Sequence, residues 1–199
     1  MGMTETVEST KRPGRPRDKS ARQRILDAAL EIVEEVGFAQ VTTCAIAERA
    51  GVGKATVYRW WPNKAAVLIE AFREAVAPEV PFVDTGSFEA DIRLQVEKFV
   101  RMLISPKGRM LAAILAAAQN DADVAAALMD YWVRPRRAEA SAAMERKEQW
   151  KEHAGGIDTG LLLDMLYGPL YFRLLTGLPL SPEYADEVAE FVLRTLRAK

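Results

Sequence analysis

The side chains of this chain that are equipped for chemistry are cationic and hydroxyl-bearing, and they gather between residues 42 and 64. Lys54, Thr56, Tyr58 and Arg59 fall in one short stretch, where ammonium, hydroxyl, phenol and guanidinium groups suit phosphate oxygens and base edges. Upstream, Lys11, Arg12, Arg15, Arg17, Lys19, Arg22 and Arg24 are opposed only by Asp18 between residues 11 and 24. Groups for covalent chemistry are sparse. Cys44 is the one cysteine and His153 the one histidine, and a Cys–His dyad needs both groups together. Cys44 falls inside the first short helix of the cationic segment and reads as a small packing residue; His153, in a polar segment before Gly155-Gly156, reads as a surface loop residue. No cluster has metal-ligand spacing, and no phosphate loop or dinucleotide fingerprint is present. Neither an enzyme nor a cofactor is expected.

These groups need elements that aim them outward together. Ile46, Ala47 and Ala50 form a small apolar face on a first helix, and Gly51 stands where a helix stops in the left-handed conformation. Val52 must turn inward at the corner. A second helix, opening at Gly53 or Lys54, buries Val57 and Trp61 and leaves Lys54, Ala55, Thr56, Tyr58 and Arg59 mostly outside. Ala47 and Ala55 are small enough for the two helices to approach closely. Two short helices around a glycine turn are the helix-turn-helix signature, whose second helix enters the major groove of DNA.

The segment resembles the DNA-binding domain of TetR/AcrR-type bacterial transcriptional regulators. The matching residues are Ile46-Ala47 through Ala50-Gly51-Val52, Lys54 through Arg59, and Trp61-Pro62-Asn63-Lys64. The family's usual Ser and Gly fall on Gly53 and Ala55, and its frequent His-Phe pair on Trp60-Trp61. Gly still caps a helix, and Trp keeps bulk and one donor. The resemblance implies DNA contacts from Thr43, Lys54, Thr56, Tyr58, Trp60 and Lys64. Thr42, Ala55 and Arg59 join them by position, with Arg15 and Arg17 from the upstream arm. Tyr58 and Lys64 read as phosphate contacts, and Lys54, Ala55 and Thr56 as better placed for base edges. Trp60 has the alternative of packing beside Trp61.

The chain has 199 residues, 49% of them hydrophobic, with a net charge of −1, so the basic charge is local rather than global. A single cysteine excludes an internal disulfide and fits a reducing compartment. The first thirty residues carry no apolar signal core, and the longest plain apolar run, Met110 to Ala118, is too short to span a bilayer. A cytoplasmic protein without membrane contact is expected.

Residues 1–19 are expected to form a disordered basic arm, because Pro13, Gly14 and Pro16 preclude a helix. Its Gly14-Arg15-Pro16 core is similar to an AT-hook arm able to lie in a minor groove; the alternative is a solvated tail that adds salt-dependent affinity by counterion release. Residues 20–77 are expected to be the helix-turn-helix domain. It starts with a helix carrying Ile25, Ala29, Ile32, Val33 and Val36, and ends with one capped by Asn63 and striped by Val67, Leu68, Ala71 and Phe72. Pro78 to Pro81 mark a boundary. Residues 78–199 carry further helical stripes and no strand-like alternation, so the expected fold is all-α with about nine helices.

The segment from Asp158 to Thr176 is apolar around almost its whole circumference, which requires burial on two sides. A second subunit would supply one side. A homodimer is expected on the last two helices, through Leu163, Leu166, Tyr167, Leu170 and Leu174 with Val188, Val192 and Leu196; the alternative is a central helix of a monomeric core. Gly168-Pro169 should kink or loosen that helix. Met102, Met110, Ile114, Met129, Trp132, Met165 and Phe172 could line an adaptable apolar pocket, or simply be core. Arg134, Arg136 and Arg137 could pair with an acidic ligand, although a solvated helix face is the favoured reading. By family resemblance this domain would bind an apolar or amphipathic small molecule that shifts the dimer, so that its two recognition helices no longer match successive major grooves. The expected function is a ligand-responsive repressor on a near-palindromic operator. The alternative is a DNA-binding adaptor that recruits a protein partner and senses no small molecule.

Overall fold

A computed structural model describes residues 19–145 and 158–197. Lys19–Val36 form α1, whose residues Ile25, Ala29, Ile32 and Val33 are buried, whereas Val36 at the frayed end of the stripe is half exposed. A 3-10 turn at Phe38–Gln40 leads to α2 (Thr43–Arg49) and α3 (Lys54–Tyr58), and Asn63 caps α4 (Lys64–Val76) by accepting from the Ala66 amide at 2.9 Å. Ser87 and Ser105 cap α5 (Phe88–Leu103) and α6 (Pro106–Ala118). Gly108 in α6 has no room for a side chain: a Cβ there would lie 1.8 Å from the Leu103 carbonyl oxygen.

Asp121 caps α7 (Ala122–Leu128), which continues through a π turn at Met129–Val133 into α8 (Arg134–Glu145). The widened turn has a cause. Pro135 lacks an amide and its ring crowds the preceding carbonyls, so the Arg134 amide reaches back five residues to Met129. Asp158 caps α9 (Thr159–Thr176), which ends at left-handed Gly177, and Pro182–Arg197 form α10. With α7, the π turn and α8 counted as one rod, the described residues form nine helical rods and no strand.

The rods share one hydrophobic core. Within it α1 lies against α4, α5 against α10, and α4 against both α7 and the π turn. The helix at the end of the helix-turn-helix region is thereby packed directly on the C-terminal bundle.

The faces of α9 and α10 correct the expected interface. Leu163, Leu166, Leu170, Val188, Val192 and Leu196 are buried inside the protomer and leave little surface for a partner. The apolar side chains left outside are Leu161, Phe172 and Leu175 on α9 and Phe191 on α10, the last 67% exposed. Leu174 is half buried against the core, and Tyr167 turns inward. An all-round apolar helix shows that two sides are covered, but not which side faces which.

Candidate nucleic-acid interface and interior cavity

The turn between α2 and α3 is closed by its own backbone. Gly51 has φ 64°, the Gly51 amide donates to the Glu48 carbonyl at 3.1 Å, and the Val52 amide donates to Ala47 at 2.9 Å. This is the Schellman pattern, with glycine at its left-handed position. Thr42 caps α2 through its hydroxyl oxygen, which accepts from the Ala45 amide at 3.1 Å. Thr43, next to it, is only 9% exposed. Gly53 then opens α3.

Val57 and Trp61 are each 1% exposed and pin α3 to the core. The Trp61 Nε1 donates to Glu70, which is also paired with Arg22 at 2.9 Å and Arg73 at 3.5 Å. With those two residues inside, helical periodicity turns Lys54, Ala55, Tyr58 and Arg59 outward, with Thr56 half buried. Lys54 Nζ stands 5.7 Å from the Tyr58 ring centroid. Neither Lys54 nor Arg59 has an acidic partner among the described residues, so their charge is open to an anion. Ala55, expected at the close contact of α2 and α3, is exposed, whereas Ala47 is buried.

Other cations of the region are engaged structurally. Arg22 bridges Glu70 and Glu74, Arg24 donates to the Ala50 carbonyl at 3.3 Å, and Arg49 pairs with Glu35 through both terminal nitrogens at 2.9 Å. Lys64 Nζ donates to the carbonyls of Ala39 at 3.3 Å and Val41 at 3.0 Å, tying the start of α4 to the segment before α2. Trp60 is half buried, its ring 6.1 Å from that of Trp61. Cys44 is exposed, against the packing role expected of it. Arg15, Arg17 and His153 lie outside the described residues.

A second feature lies in the C-terminal bundle, where a cavity of about 410 Å³ opens among α5, α6, the π turn, α8 and α9. Five aromatic rings stand in its walls, those of Phe82, Phe99, Trp132, Tyr167 and Tyr171, among aliphatic residues that include Leu115, Val133 and Leu163. Trp132 Nε1 donates to the Tyr171 hydroxyl at 3.1 Å, and Phe99 packs edge-on against Tyr167 and Tyr171 at 5.0 and 5.7 Å. Burial pushes the phenol of Tyr171 up to about 12 and raises that of Tyr167 as well.

Of the pocket residues expected from sequence, only Trp132 lines this cavity. Met102 and Ile114 point into the core, Met129 and Phe172 are exposed at 41% and 60%, and Met110 and Met165 face other grooves. Leu163 and Tyr167, expected at a dimer interface, line the cavity instead, and with Tyr171 and Leu175 they form a stripe at intervals of four on α9. That spacing was the sequence signal available for this wall. Arg136 and Arg137 also line the cavity rather than a solvated face: Arg136 stacks at 4.4 Å over Phe82 and donates to Val80, while Arg137 pairs with Asp164. Arg134 is solvent-facing as expected.

Comparison with known proteins follows the same two-part division. Residues 25–71 match the model of the bacterial regulatory proteins of the tetR family, and residues 82–192 match that of the tetracyclin repressor-like C-terminal domain. The uncharacterized HTH-type transcriptional regulator YdeS of Bacillus subtilis is 36% identical, covering 93% of this chain and 94% of its own. The HTH-type transcriptional regulator AqdR of Rhodococcus erythropolis is 27% identical, with 80% and 78% covered. Among solved structures, the TetR family transcription regulator SCO0332 superposes with a TM-score of 0.79 at 31% identity, covering 88% of this chain and 98% of its own. The regulator FadR from Bacillus subtilis, solved with stearoyl-CoA, shares the fold with a TM-score of 0.60 at 20% identity, over 86% and 97% of the two chains.

Proposed function

Because the chain belongs to the tetR family and is thus a helix-turn-helix DNA-binding transcriptional regulator rather than an enzyme, we propose that it is a dimeric repressor released from a near-palindromic operator by a small molecule. In this reading residues 20–77 bind DNA and residues 78–199 sense the effector and dimerise, in the cytoplasm. The observation that carries it is the outward face of α3, where Lys54, Tyr58 and Arg59 stand exposed on a helix pinned from behind by Val57 and Trp61. Tyr58 and Arg59 set the register on phosphates, Lys64 adds to them only the ammonium N–H left over from its two carbonyl bonds, and Lys54, Ala55 and Thr56 meet base edges. Thr42, Thr43 and Trp60 flank that contact, and Arg15 and Arg17 add affinity from the arm.

Two copies meet through the apolar residues left outside on α9 and α10, with Phe172 and Phe191 at the centre. Such a dimer presents its two α3 helices to half-sites about one turn apart. The 410 Å³ cavity supports an apolar or amphipathic effector, and FadR, which shares the fold, holds stearoyl-CoA in its own crystal structure. Release requires the effector to favour the non-binding arrangement, a coupling of typically about 1 to 3 kcal/mol.

Fluorescence anisotropy on the DNA upstream of the protein's own gene, against scrambled DNA of equal length at two salt concentrations, tests this. Tight, salt-sensitive and sequence-selective binding is expected. Equal affinity for both duplexes would rule out an autoregulated operator. The adaptor reading would gain if no compound stabilised the folded protein.

A further inference from the structure

Beside the main cavity is a lobe of about 40 Å³ that shares Phe82, Ala140 and Tyr167 with it, so the two spaces abut. That is about three times the space a single water molecule needs and a tenth of the main cavity, room for a few heavy atoms. It accommodates a polar head group and not a ring. On its wall stands Gln95 of α5, 8% exposed, and neither atom of its side-chain amide has a hydrogen-bond partner in normal geometry. The Tyr167 hydroxyl is close enough to accept from that amide, which offsets part of the rise that burial gives the phenol, and leaves the rest of the amide's bonding capacity unused. A buried amide in this condition is costly, and folded proteins rarely leave one so without a use.

The remaining polar groups around the two spaces are already engaged. Asp91 accepts from the amide and hydroxyl of Thr85 at 2.8 and 2.6 Å. Arg136 is held by Glu139, the Val80 carbonyl and the Phe82 ring, and Arg137 by Asp164 and the Gly160 carbonyl. Both arginines therefore carry a carboxylate partner, and the cavity offers no uncompensated cation to an anionic ligand. What it offers is neutral hydrogen bonding: the donors and acceptor of the Gln95 amide at the narrow end, with the hydroxyls of Tyr167 and Tyr171 along the slot.

The slot itself selects a shape. Its rings are locked edge to face and by the Trp132–Tyr171 hydrogen bond, and no methionine lines the main lobe. Rigid aromatic walls fit a flat ring system better than a flexible chain. Building on the effector-cavity reading above, we propose that the small lobe is the head-group subsite of the cavity, with Gln95 pairing to a neutral donor–acceptor edge, a carboxamide or lactam, on a compact aromatic molecule.

Isothermal titration and thermal melting with 2-naphthamide, 2-acetylnaphthalene and 2-naphthoate test this on the full chain. The three probes share the ring and differ in the head group: donor plus acceptor, acceptor alone, and anion. The amide is expected to bind about tenfold or more tightly than either of the others, because only it meets both amide atoms of Gln95. Gln95→Leu should bring the amide and the ketone to a common level, the amide falling further because it loses two hydrogen bonds and the ketone one. It should also hold or raise the melting temperature, since an under-bonded polar group leaves the interior; Gln95→Met serves as a second variant with the same expectations. Equal binding of all three probes, with either variant indifferent, would overturn the role of Gln95 while leaving the cavity as an effector site. Preference for the naphthoate would overturn the neutral head group and point to Arg136 and Arg137. A lowered melting temperature in both variants with unchanged probe selectivity would make Gln95 a structural residue. Absence of binding and of thermal shift with every probe would overturn the effector-cavity reading, and this inference with it.

Discussion

Trp132 touches Phe72 and Tyr171 at once: its ring lies 5.0 Å from that of Phe72, tilted by 53°, while its Nε1 donates to the Tyr171 hydroxyl. Phe72 belongs to α4, which follows directly on the helix-turn-helix, and Tyr171 is a wall of the cavity. One side chain thus joins the two halves of the molecule, and it sits in the π turn that Pro135 enforces. In the proposed effector reading, a ligand that displaced the Tyr171 ring would reach α4 through this single intervening residue, a short physical path for coupling to the DNA-binding half.

The hydrogen bond in that path can be weighed by a double-mutant cycle in urea unfolding. Trp132→Phe leaves the Tyr171 hydroxyl unpaired and Tyr171→Phe leaves the indole N–H unpaired, each costing about 1 to 3 kcal/mol from this source. The double variant should cost less than the sum of the singles. Strict additivity would show that the two groups do not interact in solution.

Alkaline titration should report the buried phenols. Tyr171 is pushed from its ordinary value near 10 up to about 12, and Tyr167 is raised too, so the folded state holds these protons more tightly than the unfolded chain. Their contribution to stability is complete below about pH 10 and is lost as pH rises toward 12. Chemical denaturation across that window should show falling stability, and Tyr171→Phe should flatten the fall. An identical pH profile in the variant would contradict burial of this hydroxyl.

On the DNA side, Tyr58→Ala and Arg59→Ala remove exposed side chains, so each should change folding stability by less than about 0.5 kcal/mol. Both should nevertheless weaken operator binding. Arg59→Ala should also reduce the slope of log affinity against log salt by about 1, the signature of one lost phosphate contact. A changed sequence preference with an unchanged slope would assign Arg59 to base reading.

The outer apolar face of α9 and α10 makes a prediction about assembly. Phe191→Glu or Phe172→Glu should shift sedimentation from dimer to monomer while the helical circular dichroism stays intact, and should weaken binding to a two-half-site operator more than to a single half-site. A dimer that survives both substitutions would place the interface elsewhere.

The helix-turn-helix was legible because its signals are local. Gly51 in the left-handed conformation, the Asn63 cap and the buried Val57 and Trp61 all follow from helical period and backbone sterics, within a few residues of chain. The all-α class was legible for the same reason. The sensing half was not. On α9 every face is apolar, so periodicity cannot say that Leu163, Tyr167 and Tyr171 meet the cavity while Phe172 faces out. That division depends on where α5, α6 and α8 come to lie. Gln95 is likewise an ordinary helix residue in sequence, and its amide becomes buried and under-bonded only when Tyr167 and Phe82 close around it. Local backbone chemistry determined the part expected to read DNA; long-range packing, which apportions one apolar surface among core, cavity and partner, decided the rest.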